Sequence, residues 1–433
     1  MASITIKNVG PIKNIENLEL KKVNVFMGQQ SSGKSTIAKI ISYCTWIEKD
    51  VALSQSLNGY SQNGNFRKKL EEFHRLYGYI KGNTEIYYTS DVINLRFSNN
   101  ECHIEWVDKY AYRRDKIAYI PSERNLTVLP FIQTVAMPNN NNRSFLFDWL
   151  TLRSKYRKDK KVKILDLPVA YYYKEGLGTG ENRIISTEKN NQYDILLENA
   201  SSGLQSVTPL IVAFKYFSEW IYANEEDLSF EKQQKLDKVG WQLYQELVFE
   251  PLFGKKPSSE EIKDSMEKIN EMLKNQDANA LAFTKKWNEI IKKFERTYRT
   301  QFIIEEPEQN LFPSTQRALV YHLLQLINGG RDHRLTMTTH SPYILYALNN
   351  CMMGYLVNTQ LQGEEKHDYS ANNFLSEKSW INPQSVSVWE IEEGGLRNIQ
   401  DKDNIISENY FDKIMTDLTD EYYQMLNYYT DEE

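Results

Sequence analysis

The sequence predicts an α/β protein, with a mixed central sheet flanked by helices, an antiparallel β subdomain and a helical insertion. Three observations carry that prediction. Val23–Met27 reads as a buried strand that runs through a glycine-containing loop into a helix with apolar residues at helical spacing over 36–46. Apolar strands at 301–304 and 334–338 flank a helix at 315–327, the pattern of a βαβ unit in a parallel sheet. Residues 85–107 alternate apolar and polar side chains in three short runs, as an antiparallel meander does.

Taken in order, residues 4–6 and 18–20 alternate like a strand pair joined through Gly10-Pro11. After the first helix, 54–65 is polar and turn-rich and reads as a surface loop, and 66–79 reads as a helix. The meander strands fall at 85–88, 92–97 and 103–107, and a further strand at 116–120 stops at Pro121. The run Asn139 to Asn142 marks a mobile loop and a candidate boundary. Basic residues cluster in KYRKDKKVK, among them Lys155, Arg157, Lys158, Lys160 and Lys161, which reads as a solvated helix face rather than a nucleic-acid patch. Strands at 171–173, 183–186 and 193–197 are separated by Gly- or Asn-rich turns. Residues 204–222 form a long helix, and 230–299 is charged and helical in period, with breaks near Pro251 and Pro257. A hairpin at 387–399 turns at Gly394-Gly395, and the acidic tail from Asp401 to Glu433 is helical in pattern. No internal repeat is present.

The loop that joins the first buried strand to its helix is Gly28-Gln29-Gln30-Ser31-Ser32-Gly33-Lys34-Ser35, followed by Thr36. It fits G-x-x-x-x-G-K-[ST] in the strand–loop–helix setting that a phosphate-binding loop needs. Glycines let backbone N–H groups approach phosphate oxygens, and the new helix adds its unpaired N–H groups and positive dipole end. Lys34 supplies a point charge to the β- and γ-phosphates of ATP, and the Ser35 hydroxyl can ligate Mg²⁺.

Two further stretches complete the chemistry. Glu305-Glu306-Pro307-Glu308 follows the strand at 301–304, and strand ends beside a phosphate loop are where α/β sheets place ligands. Glu305 is expected to hold Mg²⁺ through water, and Glu306 to accept the proton of the attacking water. Thr339-His340-Ser341-Pro342 follows the neighbouring strand, so His340 can hydrogen-bond the γ-phosphate or the water. Ala200-Ser201-Ser202-Gly203-Leu204-Gln205 is a second Gly-containing turn at a helix start, hence a second anion site. One nucleotide's phosphates are already wrapped by the first loop, so the second suits the γ-phosphate of a nucleotide held by another subunit. The competing reading is an ordinary helix cap at Ser202.

Composition narrows the class. The formal net charge is −6, so any nucleic-acid contact must be local, weak and salt-dependent. Cys44, Cys102 and Cys351 are far apart and odd in number, which fits reduced thiols in a cytoplasmic protein. No stretch has the length and apolarity of a membrane span, and MASITIKNVG lacks a signal peptide's apolar run.

The order of motifs resembles the ABC-type ATPase heads of the SMC and RecF group. EEPEQNLFP (305–313) and THSPYIL (339–345) are most similar to the OLD-like (overcoming lysogenization defect) ATPases common in bacterial anti-phage systems. The resemblance implies a P-loop NTPase of ABC type that binds ATP and Mg²⁺ and forms a homodimer or higher homo-oligomer. Ser202, Gly203 and Gln205 then match the signature sequence, with Leu204 in place of its second glycine. Residues 308–311 match the segment that communicates across the dimer, and Pro121-Ser122-Glu123-Arg124-Asn125 is similar to a Ser-Glu-Arg turn of OLD-like relatives. The implied division is an N-terminal head part at 1–218, a helical arm at 219–300, the rest of the head at 301–400, and the tail at 401–433. OLD enzymes carry a C-terminal Toprim nuclease. Only about ninety residues follow His340, fewer than that domain and the last head strands need, so the expectation is an ATPase acting on a separately encoded effector such as a Toprim or HNH nuclease. The alternative is a DNA-repair or chromosome-maintenance ATPase of the RecF/SMC kind.

Overall fold

The computed structural model describes residues 2–62, 64–130, 132–176, 180–223, 230–258 and 260–429. Its organising layer is a six-stranded sheet in the order Gly395–Asn398, Val386–Glu392, Val23–Met27, Arg334–Thr339, Thr300–Glu305, Lys116–Ile120. Every neighbouring pair is parallel except the edge hairpin formed by the first two. A strand buried on both faces reads as a continuous apolar run, and Val23–Met27 is buried throughout. Register brings the carboxyl ends to one edge, with Thr339 opposite Met27 and Glu305 opposite Thr338. The residues that leave that edge are Gly28, Glu306 and His340.

On one face, helices Asn141–Arg153, Ser202–Lys215, Pro313–Ile327 and Pro342–Gln360 pack on Val23, Val25, Met27, Ile304 and Met337. Helix Lys34–Ser54 covers the other face. It lies beneath a five-stranded antiparallel sheet ordered Ile12–Glu19, Ser3–Val9, Ile80–Thr89, Ile93–Ser98, Glu101–Trp106. A four-stranded antiparallel sheet, Asp194–Leu196, Glu181–Ser186, Val169–Lys174, Val162–Lys163, is hydrogen-bonded to neither, but its Val162, Val169, Tyr171 and Ile184 join the core beneath the central sheet. The mixed α/β class, built on several sheets, is therefore as the sequence predicts.

The helical insertion is not a free arm. Its helices Phe230–Tyr244, Ile262–Lys274 and Ala278–Glu295 join the core around helix Lys34–Ser54 through Val239, Leu243, Ile269 and Phe294. Part of that insertion, 224–229, lies outside the described residues, as do the Gly-rich turn at 177–179 and the tail's last residues, 430–433.

Several local expectations are corrected. The asparagine run is a helix start: Asn140 accepts from the Arg143 N–H, and Asn141 is fully buried against Arg75. Asparagine is favoured both in turns and at helix caps, so composition could not separate the two. The basic segment is no helix face; it follows the end of helix Asn141–Arg153 as turns leading into Val162–Lys163. Helix 66–79 stops at His74, where Arg75 enters the left-handed region at φ 56°. The helix at 204–222 is not uniform, because a π turn, Tyr216–Trp220, follows Ser202–Lys215. Pro251 does not break the arm. It follows another π turn, Gln245–Phe249, where the hydrogen-bond ladder is already displaced, and the break comes at Gly254 with φ 72°.

Candidate active site

The phosphate loop is held by its backbone shape. Gly28 (φ 152°), Ser31 (φ 61°) and Gly33 (φ 109°) all sit at positive φ. A Cβ on Gly33 would lie 2.5 Å from Ile12 Cδ1, so the turn of the N-terminal hairpin presses directly on the loop. That turn is pinned from its far side as well, since Lys13 N–H donates to the Gly394 carbonyl at 2.8 Å. The loop is thus seated by two hairpin turns, one from each end of the chain.

Lys34 is buried and its ammonium is folded onto the loop, donating to the Gly28 carbonyl at 2.8 Å and the Gln29 carbonyl at 2.6 Å. Burial pulls its pKa down to about 8, against the opposing pull of Glu306 and Glu308. Ser35 is half-buried in the first helical turn, and its hydroxyl has no protein partner among the described residues.

Glu306 sits at φ 45°, a left-handed conformation that turns the chain sharply after its strand. Its carboxylate meets His340 Nε2 at 3.2 Å and accepts from Gln309 Nε2 at 3.0 Å. Burial, and then Lys34, hold His340 below its ordinary pKa, so the imidazole is neutral near pH 7. Glu308 is half-buried, and one of its oxygens accepts from Thr339 Oγ1 at 2.9 Å and from the His340 N–H at 2.5 Å. Burial raises its pKa, and its other oxygen has no partner. Lys34, Glu306, Glu308 and His340 therefore form one cluster at the sheet edge.

Glu305 lies behind that cluster. It is 2 % exposed, accepts from Tyr119 Oη at 2.5 Å, and is approached by the Ser122 N–H at 3.3 Å. These bonds leave lone pairs on a hard carboxylate, and the unpartnered Ser35 hydroxyl is a second hard oxygen, so the donor set fits Mg²⁺. Among the described residues no cluster of three His, Cys, Asp or Glu side chains could hold a metal alone.

The residue that fixes the acidic turn is Arg124. It is fully buried, and its guanidinium donates to five backbone carbonyls, those of Pro121, Ser206, Glu305, Glu306 and Pro307, and to the Ser206 hydroxyl. Burial lowers its pKa to about 10 while Glu308, Glu306 and Glu305 oppose that shift. The neighbouring Glu123 is tied instead to Arg75 at 2.7 Å. Arg124 joins the helix that starts at Ser202 to the turn carrying Glu306.

At that helix start the cap is Ser201, whose side chain accepts from the Leu204 N–H; Ser202 is the exposed first residue, which corrects the sequence reading. A Cβ on Gly203 would come 2.8 Å from the Asn310 carbonyl, so only glycine lets the helix rest on the acidic turn. The Gln205 amide is occupied locally, donating to the carbonyls of Glu198 and Ala200. Among the described residues no hydrogen bond links 201–205 to the phosphate loop of the same chain. Sequence reasoning missed Tyr119 and Ile12, neither of which belongs to a motif, and gave Gln309 no role of its own although it falls within 305–313; Tyr119 carried a signal, as a tyrosine in the strand next to the acidic one.

A phosphate loop, an acidic strand end and a histidine strand end at one edge of a mixed α/β sheet define the class of site. No protein-family model matches the chain, and no curated protein is detectably similar to it. Among solved structures it is similar to an SMC head bound to the C-winged helix domain of ScpA, at 8 % identity and TM-score 0.35 over 92 % of this chain and 96 % of that one. It is also similar to the SMC head domain from Thermotoga maritima, at 10 % identity and TM-score 0.32 over 80 % and 90 %. The recombination mediator protein RecF is a third such structure, at 10 % identity and TM-score 0.28 over 92 % and 97 %.

Proposed function

We propose that the protein is an ABC-type ATPase that binds and hydrolyses ATP with Mg²⁺ at sites shared between two subunits. The observation that carries this is the convergence of Lys34, Glu306 and His340 at one sheet edge, with Glu306 oriented by His340 and Gln309. In this reading the 28–36 loop wraps the phosphates. Lys34 leaves the Gly28 and Gln29 carbonyls for the β- and γ-phosphates. Glu306 accepts a proton from the attacking water, and His340 holds that carboxylate in place. Ser35 and, through water, Glu305 would hold Mg²⁺, which would neutralise phosphate charge.

The second subunit enters through Ser202 and Gly203. The exposure of Ser202 at a helix start, beside a half-buried Gly203 that rests on the turn following Glu306, supports a role toward a partner's γ-phosphate. Glu306→Gln is expected to bind ATP, hydrolyse it at least about a hundredfold more slowly, and accumulate as an ATP-dependent dimer. Adding Ser202→Arg should dissolve that dimer while ATP binding persists. Light scattering with and without ATP reads the result. An unchanged mass in Glu306→Gln, with ATP bound, would sink the shared-site reading.

The biological role that best fits the OLD-like motifs is a sensor controlling a separate effector, such as a nuclease, in anti-phage defence. The RecF/SMC reading would be favoured instead by tight, ATP-stimulated binding of duplex DNA at physiological salt.

A further inference from the structure

Among the described residues, the helix Tyr410–Leu426 is anchored only at its start. Asn409 and Asp412 close a capping box, Asp412 accepts from Tyr346 Oη at 2.9 Å, and Tyr410 and Phe411 pack on the central core. From Lys413 to Tyr429 every residue is exposed. A helix of this length is marginal in water by itself, and helices in proteins draw most of their stability from a packed apolar face. This one has such a face and leaves it uncovered.

The face is a narrow seam. Phe411, Met415, Leu418, Tyr422 and Met425 follow one another at intervals of 4, 3, 4 and 3, the a/d spacing of a coiled coil. The last four are 59–66 % exposed. Together they can bury on the order of 500 Å² per copy, against roughly 800 Å² per partner in a standard interface. So short a seam closes only where something else has already brought its partner near.

The root of the helix supplies that condition. Tyr346 lies six residues beyond His340, and Phe312 lies six beyond Glu306. With Tyr343 these two line a shallow apolar cleft of about 390 Å³, and Phe312 is 75 % exposed. The tail therefore springs from beside the two turns at which a second subunit is proposed to enter. Flanking positions set the direction of pairing. In a parallel pair Glu421 meets Leu426 of the second copy, and Ile414 meets Thr419. In an antiparallel pair at full overlap Glu421 meets Glu421, like charge on like. Asp417 and Asp420 point away from the seam in either case.

We propose that the tail helices of two copies pair as a short parallel coiled coil when ATP closes the heads. The pairing rests on the shared-site reading, because only closed heads bring the two roots together and raise the local concentration of one tail around the other.

The test uses the full chain carrying Glu306→Gln and Leu418→Cys, with Asp417→Cys as a control off the seam. Cys44, Cys102 and Cys351 are buried, so oxidation with copper–phenanthroline reads the introduced thiol. Light scattering on the same samples reads head association. With ATP the mass should double, and Leu418→Cys should cross-link about tenfold faster than Asp417→Cys and about tenfold faster than it does without ATP. Changing Leu418 and Met425 together to Asp in Glu306→Gln should weaken the ATP-dependent dimer about tenfold and leave ATP affinity unchanged. A doubled mass without preferential cross-linking, or with dimer affinity untouched by the Asp changes, overturns the tail pairing while the shared site stands; the seam then belongs to a different protein. Equal cross-linking with and without ATP overturns the dependence on closed heads. Faster cross-linking between Leu418→Cys and Tyr422→Cys chains than within either overturns the parallel arrangement. An unchanged mass with ATP bound overturns the pairing and the shared site together.

Discussion

Lys34 spends the unliganded state bonded to carbonyls of its own loop, with burial pulling its pKa to about 8. Phosphate oxygens would reverse that shift, so ATP binding should take up a proton between about pH 8 and the ordinary lysine value. Calorimetry at pH 9 in buffers of different ionisation heat should find up to one proton taken up per ATP, and essentially none at pH 7. Lys34→Ala should abolish turnover and weaken ATP binding without unfolding the chain. Arg124 poses a different residue-scale question, because its partners are backbone atoms rather than charges. Lysine cannot reproduce a planar fork reaching five carbonyls. Arg124→Lys should therefore lose about 3–5 kcal/mol of stability, read by denaturant melting, and lower kcat with Glu306 misplaced. Wild-type stability in Arg124→Lys would mean the clamp is not what holds the turn.

At the scale of elements, the turn 10–13 is wedged between the phosphate loop and the Gly394 turn. Gly394 has φ 83°, and a Cβ there would meet Lys13 Cγ at 2.7 Å and the Pro11 carbonyl at 2.8 Å. Gly394→Val is expected to cost about 2–4 kcal/mol from backbone strain and overpacking, and to weaken ATP binding although it touches no phosphate ligand. Equilibrium unfolding and nucleotide titration of the same variant would show whether both effects occur. That coupling also marks how far the sequence could be read. The phosphate loop, the acidic strand end and the His340 turn were legible because each is a local pattern of a few adjacent residues. Arg124 became visible only by resemblance, since all of its partners but Pro121 lie more than 80 residues away and none is a complementary charge. The wedge was not legible at all: Ile12 and Gly394 carry no motif, and only the fold makes them neighbours of Gly33 and Lys13. The helix Pro342–Gln360 was missed because its polar and apolar residues show no clean single face.

For the whole molecule, mixing Lys34→Ala with Ser202→Arg tests assembly. If subunits exchange, a heterodimer holds one site with both defects and one with neither, so some ATPase activity should return. No recovery despite demonstrated exchange would leave Ser202 without a role across subunits. Binding to duplex DNA should be weak, insensitive to sequence and steeply lost with salt, as the net charge of −6 requires, and electrophoretic shifts across a salt series would measure it.

The central strand Val23–Met27 has both neighbours far along the chain, Arg334–Thr339 and Val386–Glu392. On the ribosome, then, the phosphate loop is made early and its sheet late. At roughly 5–20 residues per second, some 20–70 s pass between the synthesis of Met27 and that of Val386. During that interval a largely apolar strand has at least one edge uncovered, and the loop after it lacks one of the two hairpins that seat it. A nascent chain of this protein should therefore engage a chaperone until its last sheet strand emerges, and a translational pause placed just before residue 386 should cost more soluble protein than one placed after residue 400.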